Sequence, residues 1–143
     1  MFKLVGGVIL GLIAILVVEF FVLTGLYLVL GADRAFQAGT FDVTSIWMIG
    51  QILVVFIAAM VGGKVCAIVS ARSSGVKTLA ALLLILGIIG SLPMLRVDLP
   101  NIRTGDVSSM QAMGFVREPT WFLLLVPVVG IAGSLIGGRV RSR

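Results

Sequence analysis

Four stretches of this chain, about residues 4–30, 45–69, 76–92 and 120–138, are almost wholly apolar, and each approaches or exceeds the length a helix needs to cross a bilayer. A backbone in lipid must satisfy its own polar groups, so runs of this kind leave a helical bundle as the architecture. Composition agrees. Mean hydropathy is +1.22, and only 12% of residues are charged, against about a quarter in soluble chains. In 143 residues four spans and their connections fill the chain, so the expectation is one transmembrane domain over 1–143. The predicted fold class is all-α: a polytopic membrane four-helix bundle.

Local signals set the ends of the spans. The first is too long for a cleaved signal peptide and lacks a clean small-x-small site, so it reads as a retained anchor. Thr44 or Ser45 can cap the second. Pro93 is expected to end or kink the third, because proline lacks an N–H and its ring clashes with the preceding turn. Pro119 suits a first helical position. Pro127, inside the fourth span, should free a carbonyl near Leu123.

Charge fixes an expected orientation. Lys3, Lys64, Arg72, Lys77, Arg139, Arg141 and Arg143 fall at one end of the spans with no acid among them. Arg34, Arg96, Arg103 and Arg117 face Asp33, Asp42, Asp98, Asp106 and Glu118 at the other. The positive-inside bias then places both termini in the cytoplasm and the loops 31–44 and 93–119 outside, in a bacterial inner membrane. The sequence pI near 10.4 reflects this flanking charge, which lacks the aromatic-lined groove a nucleic acid needs, so no nucleic-acid partner is expected.

The chain also resembles itself. Gly31, Gln37, Ala38, Phe41 and Trp47 recur 74 residues later as Gly105, Gln111, Ala112, Phe115 and Trp121. Gly62-Gly63-Lys64-Val65 recurs as Gly137-Gly138-Arg139-Val140. Two helical hairpins, 1–72 and 73–143, are therefore expected as parallel repeats about a pseudo-twofold along the membrane normal. Trp47 and Trp121 would be matching interfacial anchors, with Lys64 and Arg139 snorkelling to headgroups at the other end. A sharper reading makes Lys64 and Arg139 a paired site for anionic lipid or a phosphorylated ligand.

Small residues four apart allow close backbone approach, which drives association in lipid. Ala58, Gly62 and Gly63 on span two match Gly133, Gly137 and Gly138 on span four, so these spans are expected to meet. Gly7 and Gly11 form a further GxxxG, a candidate for self-association or a partner helix.

Glu19 is the one ionisable residue deep in a span. A carboxylate there is costly and marks a functional site by default. Ser91 at similar depth, Arg96 above it and Gln51 on span two are its expected partners, in an ion or proton site opening outward. In the plainer reading Glu19 joins helices or subunits through a hydrogen bond.

Catalysis is not expected. Hydrolytic chemistry needs a nucleophile beside a base, and the chain has no His, a single Cys66 and no phosphate-cradling glycine motif. No catalytic residue, metal ligand set or cofactor is assigned. Residues 93–119 are long for a bundle connection, and Met110, Met113, Phe115 and Val116 suit a segment lying on the membrane surface. They offer a docking surface or a lid.

The stretch Leu28–Phe41 and the Gly-Gly ends of spans two and four resemble small four-span bacterial inner-membrane proteins of unassigned role. The resemblance implies a membrane location and carries over no functional residues. The expected function is that of an accessory, assembly or scaffolding subunit of a larger membrane complex, in contact with lipids and with other subunits or itself. The alternative is a small oligomeric proton- or cation-coupled transporter or channel using Glu19.

Overall fold

The structure is a computed structural model, and it describes residues 2–94, 102, 107–108, 110 and 114–139. Its long elements are all helical: α1 Phe2–Leu30, the single turn α2 Ala32–Ala35, α3 Ser45–Ser70, α4 Ser73–Met94 and α5 Thr120–Arg139. Four of the five are long and apolar enough to cross a membrane. These four show no strong division into an apolar and a polar face, as expected where lipid replaces water around the outer side chains. Ile13, Phe20, Phe21, Ile57 and Val128 are about half exposed or more. In water so continuous an apolar surface would aggregate.

Helix α3 is the centre of the bundle. It packs along α1 on one side and α5 on the other, while α4 lies mainly against α5. Val8 and Ile15 of α1, Ala58, Cys66 and Ala67 of α3, and Val76 and Leu79 of α4 form the core. Glycine sets how closely these helices approach. A Cβ at Gly63 or Gly137 of the α3–α5 pair would collide with the carbonyl oxygen of Ser134 or Met60, respectively. One at Gly133 would lie 2.7 Å from the Phe56 oxygen. Gly62 and Gly138 face elsewhere: Gly62 meets Gly11 and Ile15 of α1, and Gly138 meets Val76 of α4. Gly7 and Gly11 spend their close approach within the chain, against Ser70, Cys66 and Gly62 of α3. They are occupied there rather than free for a second molecule, because α1 has to pass a helix that is itself narrow at this level.

The helix ends follow identifiable chemistry. The Thr44 hydroxyl accepts from the Trp47 N–H at 3.3 Å and donates to the Arg34 carbonyl at 2.6 Å, so Thr44 is the cap of α3. Pro119 takes the cap position of α5 rather than the first helical one. Its carbonyl accepts from the N–H groups of Phe122 at 2.9 Å and Leu123 at 3.1 Å. Pro93 falls in the last turn of α4, which runs on to Met94. Pro127 sits within α5 without ending it, and its ring packs where Gly87 of α4 leaves room.

The loop end carries a small cap. Gly31 and Gly39 take positive φ values of 71°, reversing the chain on either side of α2 and before Phe41. Phe36 bridges Val43, and Asp42 bridges Arg117. The second contact joins the two loops: Val43 N–H donates to the Arg117 carbonyl at 3.2 Å and Arg117 N–H to the Phe41 carbonyl at 3.0 Å. Beneath them Tyr27, Phe36, Phe41 and Val43 are buried together, with Trp47, Val107 and Val116 against them.

Candidate functional site

The cap positions a polar layer between itself and the apolar interior. Thr44 starts α3, and Gln51 follows seven residues later, about 10 Å further into the bundle at 1.5 Å per residue. Glu118 enters from the other loop, held beside Arg117, whose backbone is tied to Phe41 and Val43. The Gln51 side chain lies close enough to the Glu118 carboxyl to influence it. Gln51 Oε1 is buried without a partner. Burial pushes the Glu118 carboxyl above its ordinary pKa, and the Gln51 side chain opposes that rise in part.

Two further buried polar atoms at this end have no partner: Thr24 Oγ1 on α1 and Trp47 Nε1 on α3. Leu26 of α1 lies against Gly50 of α3, which sets Thr24 near the level of Gln51. An unmade hydrogen bond at a buried polar group costs about 1–3 kcal/mol, so three on neighbouring stretches of α1 and α3 mark a polar site rather than a packed core. Above it Gln37, Asp42, Arg117, Glu118 and Thr120 border an open cavity of about 310 Å³.

The expected partners of Glu19 are placed differently. Ser91 is buried, but its hydroxyl donates to the Ile88 carbonyl of its own helix at 2.8 Å. Gln51 lies beside Glu118 rather than Glu19. Arg96 lies outside the described residues. Among the described residues no hydrogen bond or ion pair holds Glu19, which is half-buried on α1. Tyr27, in the aromatic cluster under the cap, is eight residues further along α1. That places Glu19 about 12 Å deeper.

The two tryptophans occupy different surroundings. Trp121 is 58% exposed beside Phe122, as suits an indole at a membrane surface. Trp47 is half-buried, edge-on to Tyr27 with ring centroids 6.1 Å apart, as part of the cap. At the basic end, Arg139 shares a cavity with Arg72, while Lys64 is exposed on α3 away from it.

Sequence reasoning placed Glu118 among the loop charges and passed over Thr24. The available signals were an acid directly before the Pro119 cap, and a threonine five residues from Glu19 in an otherwise apolar run. No group of three metal-binding side chains converges among the described residues. Comparison of the chain with protein-family models, with curated proteins and with solved structures finds no match.

Proposed function

We propose that this chain is a non-catalytic subunit of a membrane complex that assembles through the α1 face carrying Glu19. The observation that carries this reading is the state of Glu19: half-buried within a span, with no partner among the described residues. A carboxyl left partly against lipid is costly, so a polar group from another helix is needed to cover it. That helix belongs to another protein or to a second copy. Around it α1 offers Leu16, Val17 and Phe20, all about half exposed, as an apolar surround for such a contact.

The proposal extends to setting and symmetry. The membrane is a bacterial inner membrane, with both termini cytoplasmic and the cap outside, on the strength of the charge asymmetry. The hairpins α1–α3 and α4–α5 are duplicated units about an axis along the membrane normal. Central packing of α3 on α5, flanked by α1 on α3 and α4 on α5, is what such an axis requires.

A second reading has its own support. Glu19, Thr24, Gln51 and Glu118 form a succession of polar groups from within the span to the cap, two of them with unpaired buried oxygens. In an oligomer this succession would carry protons or small cations to Glu19.

The test is particle mass in mild detergent, with a cross-linking arm. A Cys placed at Leu16, in a Cys66→Ala background, should cross-link to a neighbouring subunit. Glu19→Leu should release the 15.1 kDa chain as a monomer, while Glu19→Gln, which keeps hydrogen bonding, should stay assembled. A monomeric wild type without cross-links sinks the assembly reading. Flux in liposomes that Glu19→Gln abolishes selects the transport reading.

A further inference from the structure

At the basic end the chain between α3 and α4 is a tight, fastened turn. Ala71 takes a left-handed backbone with φ 56°. The buried Ser70 hydroxyl donates to the Arg72 carbonyl at 3.0 Å and accepts from the Arg72 N–H at 3.4 Å. Arg72 is thereby held at a fixed place rather than on a loose loop. Cavities open on both sides of it. One, of about 430 Å³, has Arg72, Ser73 and Arg139 at its rim and Ala67, Val76 and Gly138 as an apolar floor. The other, of about 290 Å³, lies between Arg72 and Lys3. None of these three cations has an ion pair among the described residues, and the described acids other than Glu19, namely Asp33, Asp42 and Glu118, belong to the loop end.

We propose that the Arg72–Arg139 cavity binds the phosphate ester of an anionic phospholipid. Two guanidinium groups, one on the α3–α4 turn and one at the end of α5, can each offer paired N–H donors to phosphate oxygens. The uncharged hydroxyl of Ser73 adds a third donor at the same rim. The apolar floor selects a lipid over free phosphate. It gives the first carbons of an acyl chain a surface between α3, α4 and α5. Lys3, across the turn, adds charge for a headgroup bearing a second phosphate. The site therefore differs from the Lys64–Arg139 pairing suggested by the repeat: Arg72, a residue without a counterpart in that pairing, supplies the second cation.

The experiment is native mass spectrometry of the full chain, released from nanodiscs of phosphatidylcholine with a minor share of phosphatidylglycerol or cardiolipin. The wild type should retain the anionic lipids in preference to phosphatidylcholine. Arg72→Gln and Arg139→Gln should each lower that retention about fivefold, the worth of one basic residue near an anionic surface. Lys64→Gln removes the same charge outside the cavity and should leave retention unchanged. Arg72→Lys with Arg139→Lys keeps the charge and should retain part of the preference, which guards against misfolding of the neutral variants. Equal loss with Lys64→Gln overturns the site in favour of diffuse attraction. Displacement of the lipid by 10 mM inorganic phosphate overturns the lipid as occupant and assigns the cavity to a soluble phosphate.

Discussion

Gly11 of α1 and Gly62 of α3 face each other reciprocally: a Cβ on Gly11 would lie 2.8 Å from the Gly62 carbonyl oxygen, and one on Gly62 2.6 Å from the Gly11 oxygen. Neither obstacle is a flexible side-chain end, so the helices would have to separate to admit a methyl group. Gly11→Ala and Gly62→Ala should each destabilise the bundle by about 1–3 kcal/mol. Gly6→Ala is the control, since nothing lies within 4 Å of its added Cβ. It should be neutral or slightly stabilising, because Ala is the better helix former. Thermal unfolding in detergent measures all three, and equal midpoints would refute the close contact.

The α4–α5 contact has a different origin. A Cβ on Gly87 would strike the Pro127 ring. Gly87→Ala should therefore be destabilising in the wild type and close to neutral beside Pro127→Ala, which removes the ring and restores a helical N–H. The coupling in a double-mutant cycle should be about 0.5–3 kcal/mol. Additive effects would show that the two residues do not touch.

Much of the bundle was legible in the sequence because lipid imposes a simple rule: apolar runs of spanning length become helices. The spans foreseen at 4–30, 45–69 and 120–138 differ from α1, α3 and α5 by at most two residues at either end. The third was set too short at Val76, since Ser73, Ser74 and Gly75 resemble a loop by composition yet form the first turn of α4. The partner of each glycine was less legible. A GxxxG motif states that something approaches, and only the fold says that Gly62 serves α1 while Gly63 serves α5. The candidate site was hardest to read. Gln51 and Glu118 are 67 residues apart, and their meeting depends on the backbone bridge between Asp42 and Arg117, whose pairing no local pattern announces.

A long-range hydrogen bond ties the cap to α1, from the Tyr27 hydroxyl to the Val107 carbonyl at 2.7 Å. Tyr27→Phe keeps the ring against Phe36 and Trp47 and removes only the donor. The expected loss is about 0.5–1.5 kcal/mol, confined to the cap. Trypsin should then cleave faster after Arg103, four residues before Val107 in the chain, with the unfolding midpoint of the bundle nearly unchanged. An unaltered cleavage rate would show that this bond does not restrain the loop.

Glu118 makes the cap sensitive to pH, with a definite sign. Its carboxyl is raised above the ordinary value of 4.5 by burial, against the opposing influence of Gln51. For an acid whose folded pKa exceeds its unfolded one, the folded state holds the extra proton. The stabilising contribution is complete below the unfolded pKa and is lost as pH rises through the folded pKa. The cap should therefore loosen as pH is raised from 4.5 through that folded value. Trp47 reports this locally, since it lies one helical turn from Gln51 on α3. In a Trp121→Phe background, Trp47 emission should shift to longer wavelength over that window. Glu118→Gln, which cannot ionise, should hold the low-pH spectrum throughout. A shift that persists in Glu118→Gln would assign the transition to another group and remove Glu118 from the account.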